Sequence, residues 1–229
     1  MRRAAIAFIA MFGLAVSASA ESPISNDEPT ATGFYRPGAV APASADFSRG
    51  DVPRDDYGRP YLYEGLGAPL PDFIGETTDQ TSFSSTLLDG RWTVIEVWGI
   101  WCHDSRRDAK YAAALSRALA QDPDVDFMSI HTPQNADRSH LAMRNYGSVS
   151  AWFEEKGWTF LTVIDEDASI RDALKIRWTP TYLLVAPDRT VQGFRTGLAD
   201  AGDDAVKDFV QDISHTRAAW SAAESRATE

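Results

Sequence analysis

Apolar and polar positions along this 229-residue chain alternate in two distinct periods, and the periods outline an α/β domain. Trp92 to Trp98 reads WTVIEVW. It is almost wholly apolar or β-branched, the pattern of a central strand covered on both faces. Glu96 interrupts it and is expected to be buried. Val125 to Ile130, Phe160 to Ile164, Tyr182 to Ala186 and Val191 to Arg195 read as further strands, the last two forming a hairpin around Pro187-Asp188. Pro69 to Ile74 and Thr81 to Ser84 read as an N-terminal hairpin. Between the strands the period changes to that of helices. From Asp104, one face carries Tyr111, Ala112, Leu115, Ala118 and Leu119, until Asp122-Pro123-Asp124 stops the pattern. A second helix is expected over 137–156, with Leu141, Tyr146, Val149, Trp152 and Phe153, and with Gly157 as its C-cap. A short helix over 167–174 and a last one over 203–219 complete the set. Helices between strands, followed by a terminal hairpin, predict an α/β fold with a central mixed β-sheet flanked by helices.

The flanks have a different character. Arg2 and Arg3, the apolar stretch Ala4 to Val16 and the small residues Ala18-Ser19-Ala20 form the pattern of an export signal over 1–20. Residues 21–65 are rich in Pro, Ala, Ser, Asp and Gly without apolar periodicity, and are expected to be a flexible leader. The domain is then expected over 66–217, with 218–229 as a fraying tail. No other stretch is apolar for long enough to cross a membrane. The expectation is a periplasmic protein with no membrane insertion once the signal is removed. A formal net charge of −11 disfavours nucleic acid as a partner.

Candidate chemistry centres on Cys102, the single cysteine of the chain. Exported proteins commonly use cysteines in pairs, and one cysteine makes no internal disulfide. Cys102 is therefore free, capped by a small thiol, joined to another molecule, or an inert buried residue. Its place between a buried strand and a helix start favours the thiolate, the reactive form, because the helix N-terminus carries partial positive charge. His103, Arg106 and Arg107 act in the same direction, and Asp104 and Asp108 oppose them. Copper held by Cys102, His103 and His131 is a weak alternative, since soft thiolate pairs select Cu(I). No metal and no cofactor are expected.

Three segments carry a resemblance. Pro71-Asp72-Phe73, then Trp98-Gly99-Ile100-Trp101-Cys102, then Thr179-Pro180-Thr181 occur in the order and spacing of the thioredoxin fold. The chain looks most like the exported branch of thiol–disulfide oxidoreductases related to TlpA and ResA. That resemblance implies a thioredoxin-like fold with an N-terminal β-hairpin extension. It implies Cys102 as nucleophile, and a cis peptide before Pro180, with the Thr179 backbone aligning a partner strand. Glu96 matches a buried carboxylate that assists proton transfer in the family; the alternative is a carboxylate satisfied by local hydrogen bonds. The departures are equally specific. Ser105 replaces the resolving cysteine and is a candidate hydrogen-bond partner of Cys102. His103-Asp104 replaces the intervening pair, and Trp178 replaces a glycine. Peroxiredoxins have threonine or serine three residues before the reactive cysteine, where this chain has Gly99.

The resemblance implies as partner a thiol- or disulfide-containing client protein or a small thiol. Trp101, His103, Trp178, Thr179 and Pro180 would form the binding rim. Without a second cysteine, exchange is expected to stop at a mixed disulfide or to proceed as shuffling. The rival expectation is a binding module in which Cys102 is incidental.

Overall fold

The computed structural model describes residues 33–227 apart from 42, 46, 47 and 49–52. The expected export signal over 1–20 lies outside the described residues. Among those described, no helix is long and apolar enough to cross a membrane.

Seven strands form one mixed sheet: β1 (Ile74–Thr77), β2 (Ser82–Ser84), β3 (Trp92–Trp98), β4 (Val125–His131), β5 (Thr162–Ile164), β6 (Thr181–Val185) and β7 (Val191–Thr196). Their order across the sheet is β2-β1-β5-β4-β3-β6-β7. The helices are α1 (His103–Leu119), α2 (Val149–Lys156), α3 (Ser169–Ala173) and α4 (Ala205–Ala227). β3 is parallel to β4 and antiparallel to β6, and every residue of β3 is buried. The mixed sheet with flanking helices agrees with the sequence expectation; the N-terminal hairpin forms antiparallel, but its first strand is Ile74–Thr77 rather than the expected Pro69 to Ile74.

Each face of the sheet has its own core. On one, Val94, Leu184 and Tyr182 pack with Ala112, Leu115 and Leu119 of α1 and with Phe209 and Ile213 of α4. On the other, Ile95, Val97, Met128, Ile130 and Leu183 pack with Ile170 of α3 and with Tyr63, Leu70 and Phe73. A third cluster places Trp152 and Phe153 of α2 against Trp98. The Trp98 and Phe153 rings stack with centroids 5.9 Å apart.

Three further expectations need correction. The described parts of 21–65 do not form a detached leader. Tyr35 exchanges backbone hydrogen bonds with Phe194 of β7 at 2.8 and 2.9 Å, and Phe34 is fully buried beside Phe209. Burying a phenylalanine contributes about 1.5–3 kcal/mol, one part of the burial and strand pairing that hold this segment against its ordering entropy. Gly193 makes room, because a Cβ there would lie 2.0 Å from the Phe34 ring. The Tyr63 hydroxyl donates to the Leu174 carbonyl.

The second correction concerns 137–156, which is not one helix. A 3-10 turn over Ala136–Leu141 is followed by Arg144 and Gly147 with positive φ, and Ser148 then starts α2 by accepting from the Ala151 N–H. Leu141, expected on the apolar face, is exposed. Third, residues 218–227 continue α4 rather than fraying, and Trp220 sets its ring edge-on to Trp92. Gly157 does close α2 with positive φ.

Candidate active site

β3 ends at Trp98, and α1 begins five residues later. The backbone between them is held at nearly every polar atom. The Gly99 N–H donates to Ser105 Oγ at 3.3 Å, and the Ile100 N–H donates to His131 Nε2 at 3.2 Å. Arg106 Nη1 donates to the carbonyls of Ile100 and Trp101 at 2.7 and 3.1 Å. The Trp101 indole donates to the Thr132 carbonyl at 2.7 Å. Thr132 in turn donates to Asp165, whose carboxylate accepts from the Ile170 and Arg171 N–H groups at the start of α3. Satisfied backbone groups of this kind leave the loop one conformation, and Cys102 emerges from it as the N-cap residue of α1.

Cys102 is half-buried and free. Its Sγ lies 3.3 Å from the carbonyl oxygen of Thr179, the residue before a cis peptide to Pro180. The sequence segments around 102 and 179, 77 residues apart, are thus brought together. A pocket of about 460 Å³ opens beside the sulfur, lined by Trp101, Cys102, Gln134, Ile176, Trp178 and Thr179 among others. Trp178 also lines a second pocket of about 450 Å³, on which Tyr57, Arg107, Asp108, Pro180 and Gly197 border. Trp178 is therefore a partition between two depressions. Its carbonyl is fixed by the Thr181 hydroxyl at 2.6 Å.

Two candidates behave differently from expectation. Ser105 is fully buried, and its hydroxyl serves the Gly99 N–H rather than Cys102. His103 sits at the rim with its side chain 77% exposed, 3.4 Å from Asp104. Arg107 is engaged by Asp200 at 2.5 Å. The weak copper set does not assemble: among the described residues no three His, Cys, Asp or Glu side chains come together as a metal site. His131 is instead a buried support for the loop, and burial pushes its imidazole down to about 3.

Beneath α1 lies a group of residues that sequence reasoning did not assemble. The strand registers align Thr162, Ser129, Glu96, Tyr182 and Arg195 in one row across β5, β4, β3, β6 and β7, and all five are buried. Asp108 reaches this row from α1. Its Oδ2 accepts from the Tyr182 hydroxyl at 2.6 Å, and its Oδ1 accepts from the Leu198 and Ala199 N–H groups at 2.6 and 2.5 Å. Glu96 Oε1 stands 3.4 Å from the same tyrosine oxygen. Arg195 donates to the carbonyls of Thr196 and Gly197 at 3.0 and 2.8 Å. Burial, reinforced by Asp108, holds the Glu96 carboxyl well above the usual carboxylate range. Burial also raises Asp108, against the pull of its hydrogen bonds and Arg195. The available signal for this group was the polar residue at the same depth in successive apolar strands. The register that aligns them is a tertiary property.

Comparison with known proteins gives a consistent picture. The family described as AhpC/TSA matches residues 66–194, more than half of the chain. The chain is 24% identical over 131 residues to the thiol-disulfide oxidoreductase ResA of Bacillus subtilis, covering 57% of this chain and 67% of that protein. It is 22% identical over 153 residues to the ResA of Oceanobacillus iheyensis, covering 65% and 73%. Among solved structures, a candidate protein disulfide isomerase from Bacteroides thetaiotaomicron superposes with a TM-score of 0.51 at 17% identity. That match covers 66% of this chain and 88% of the other, and it shows a shared fold.

Proposed function

The chain belongs to the AhpC/TSA family, and from that premise we propose that it is an exported thiol–disulfide exchange protein working through one cysteine. The observation that carries this reading is the placement of Cys102: at the N-terminus of α1, half-exposed on a pocket, 3.3 Å from the carbonyl before cis-Pro180. A helix N-terminus favours the thiolate. The Thr179 backbone is positioned to hold an incoming extended chain, with Trp101 and Trp178 as apolar walls.

The reaction is attack of the Cys102 thiolate on a disulfide R–S–S–R′, giving Cys102–S–S–R and R′–S⁻. In a dithiol protein a second cysteine would then release R. Ser105 cannot do so, because a hydroxyl does not displace a thiolate to leave a stable bond. It is also sealed beneath the loop. The product persists until another thiol, on the client or free in solution, resolves it. That outcome is capture or isomerase-like shuffling of a thiol- or disulfide-containing client, or exchange with a small thiol. Peroxide reduction is disfavoured at Gly99. A Cβ there would lie 2.2 Å from the Trp101 indole nitrogen, so the threonine or serine typical of peroxiredoxins has no room. The basic start, apolar stretch and small-residue site over 1–20 support delivery to the periplasm.

The test is trapping. Folded protein incubated with a disulfide-linked peptide should gain one peptide mass at Cys102. A Ser105→Cys variant should gain net disulfide reductase activity that the parent lacks. If the Cys102→Ala variant retains full affinity for the same peptide and the parent forms no adduct, the chain is a binding module and the exchange reading is wrong.

A further inference from the structure

Two depressions meet at Trp178. One lies beside Cys102 and belongs to the exchange site. The other, of about 450 Å³, is bounded by rings and small residues, Tyr57, Trp178, Pro180, Gly197 and Ala199. The charged groups around it are already paired within the chain. Arg107 stands 2.5 Å from Asp200 and 3.7 Å from Asp104. Arg59 is bound by Asp55 at 2.6 Å. Asp108 accepts from the Tyr182 hydroxyl and from the Leu198 and Ala199 N–H groups. A charged occupant would find its counter-charges taken, whereas an apolar ring would lose nothing by entering.

Tyr57 supplies the outer wall. It is 78% exposed, on a turn held in shape by its neighbours. Arg54 donates to the Gly58 carbonyl at 2.7 Å, and the Asp55 carboxylate accepts from the Tyr57 and Arg59 N–H groups at 3.0 and 2.8 Å. The Arg59 guanidinium lies 5.3 Å from the Tyr57 ring. An exposed tyrosine on a fixed turn is a preformed contact, because little freedom is lost when a partner covers it. The exchange site sets how an occupant arrives. A client disulfide that reaches Cys102 lies as an extended chain against Thr179. In an extended chain, residues two apart face the same side, roughly 7 Å from each other, enough to straddle one indole. With the client cysteine over Cys102, the residue two positions away falls beyond Trp178.

We propose that the depression between Tyr57 and Trp178 is a second client subsite, which takes an aromatic side chain two residues from the client's reactive cysteine. The proposal deepens the exchange reading and rests on it for the placement of the client. It makes the client an extended polypeptide, and Tyr57 a specificity-determining residue. Tyr57 lies outside residues 66–194 matched by the family, so this wall is added to the common domain.

Peptides of one length test it, each with a single cysteine linked by a disulfide to a chromogenic aryl thiol. Attack by the Cys102 thiolate forms Cys102–S–S–peptide and releases the aryl thiolate, whose colour gives the rate. A reference peptide has alanine two residues to either side of the cysteine. The others replace one of these alanines by tryptophan, leucine, lysine or glutamate. The parent should react with one of the two tryptophan peptides about tenfold faster than with the reference. That ratio should fall to about one in Tyr57→Ala and stay near its parent value in Tyr57→Phe. Melting curves check that the variants are folded, and Tyr57→Ser serves if the alanine variant is not. Affinities of Cys102→Ser for the same peptides in reduced form repeat the comparison without chemistry. Equal values for tryptophan and alanine, a leucine, lysine or glutamate peptide that matches tryptophan, or a tryptophan preference that survives Tyr57→Ala overturns the subsite. If adducts form without a ring preference, the exchange reading stands and the subsite falls. If no adduct forms and the Tyr57-dependent preference persists in the affinities, the subsite stands and the exchange reading fails.

Discussion

The mouth at Cys102 and the polar row under α1 are built on opposite principles. The mouth comes from two short stretches, 98–105 and 178–181, and its reactive atom is half-open to solvent. Its hydrogen bonds fix the backbone and leave the sulfur with one carbonyl neighbour, Thr179. The row comes from five strands and a helix, lies under α1 and contains the buried carboxyls Glu96 and Asp108. The contrast teaches that covalent chemistry and folding stability rest on different regions here. Changes at the mouth should alter chemistry with little effect on folding, and changes in the row should do the reverse.

The largest effect expected is at the mouth. Cys102→Ala should abolish covalent capture completely, read by mass spectrometry, with the melting curve hardly displaced. A large loss of stability in that variant would break the comparison. The largest effect in the row is that of Asp108→Ala. It leaves the Tyr182 hydroxyl and two N–H groups without their acceptor, and should cost about 3 kcal/mol or more in denaturant titration.

Acid and base sharpen the contrast further. His131 is held neutral down to about 3 in the folded protein, whereas the unfolded chain protonates it near 6.5. Below that value the unfolded state binds the extra proton, so stability falls on acidification, at up to about 1.4 kcal/mol per pH unit. Glu96 has the opposite sign. Its folded value is raised, so the folded state keeps a proton that the unfolded state has lost, and stability falls as pH rises from about 4.5. Unfolding measured across this range should flatten on the acid side in His131→Asn and on the alkaline side in Glu96→Gln. Unchanged slopes in both variants would contradict the burial argument.

Smaller effects belong to the rim. Trp178→Ala, which removes the partition between the two pockets, should weaken non-covalent peptide retention about tenfold. His103→Ala, at an exposed position, should leave the melting midpoint unchanged.

These two regions were unequally legible in the sequence. Whereas the Thr179-Pro180 loop was legible only through the family resemblance, Cys102 and its strand-to-helix junction follow from local patterns, because the hydrophobic period changes abruptly there. The exact span of β3 was readable for the same reason. Asp108 was read as one more charge beside the cysteine, because nothing local distinguishes a carboxylate under the 197–199 loop from one in water. The packed segment at Phe34 was hidden by its proline- and alanine-rich surroundings. Gly193, an isolated glycine inside an apolar strand, was the available sign that another chain segment comes close. The break between Leu141 and Val149 depends on Gly147-Ser148, a pair that ends one element and caps the next. Ser105 was placed correctly in sequence and wrongly in role, since its hydroxyl turns inward to Gly99.

The most direct test of the central claim is the lifetime of the peptide adduct on folded protein freed of other thiols. The account predicts one peptide per chain, attached at Cys102, persisting unchanged until an external thiol is added and then released quantitatively. Spontaneous release of reduced peptide without added thiol, or attachment that occurs only after unfolding, would contradict it.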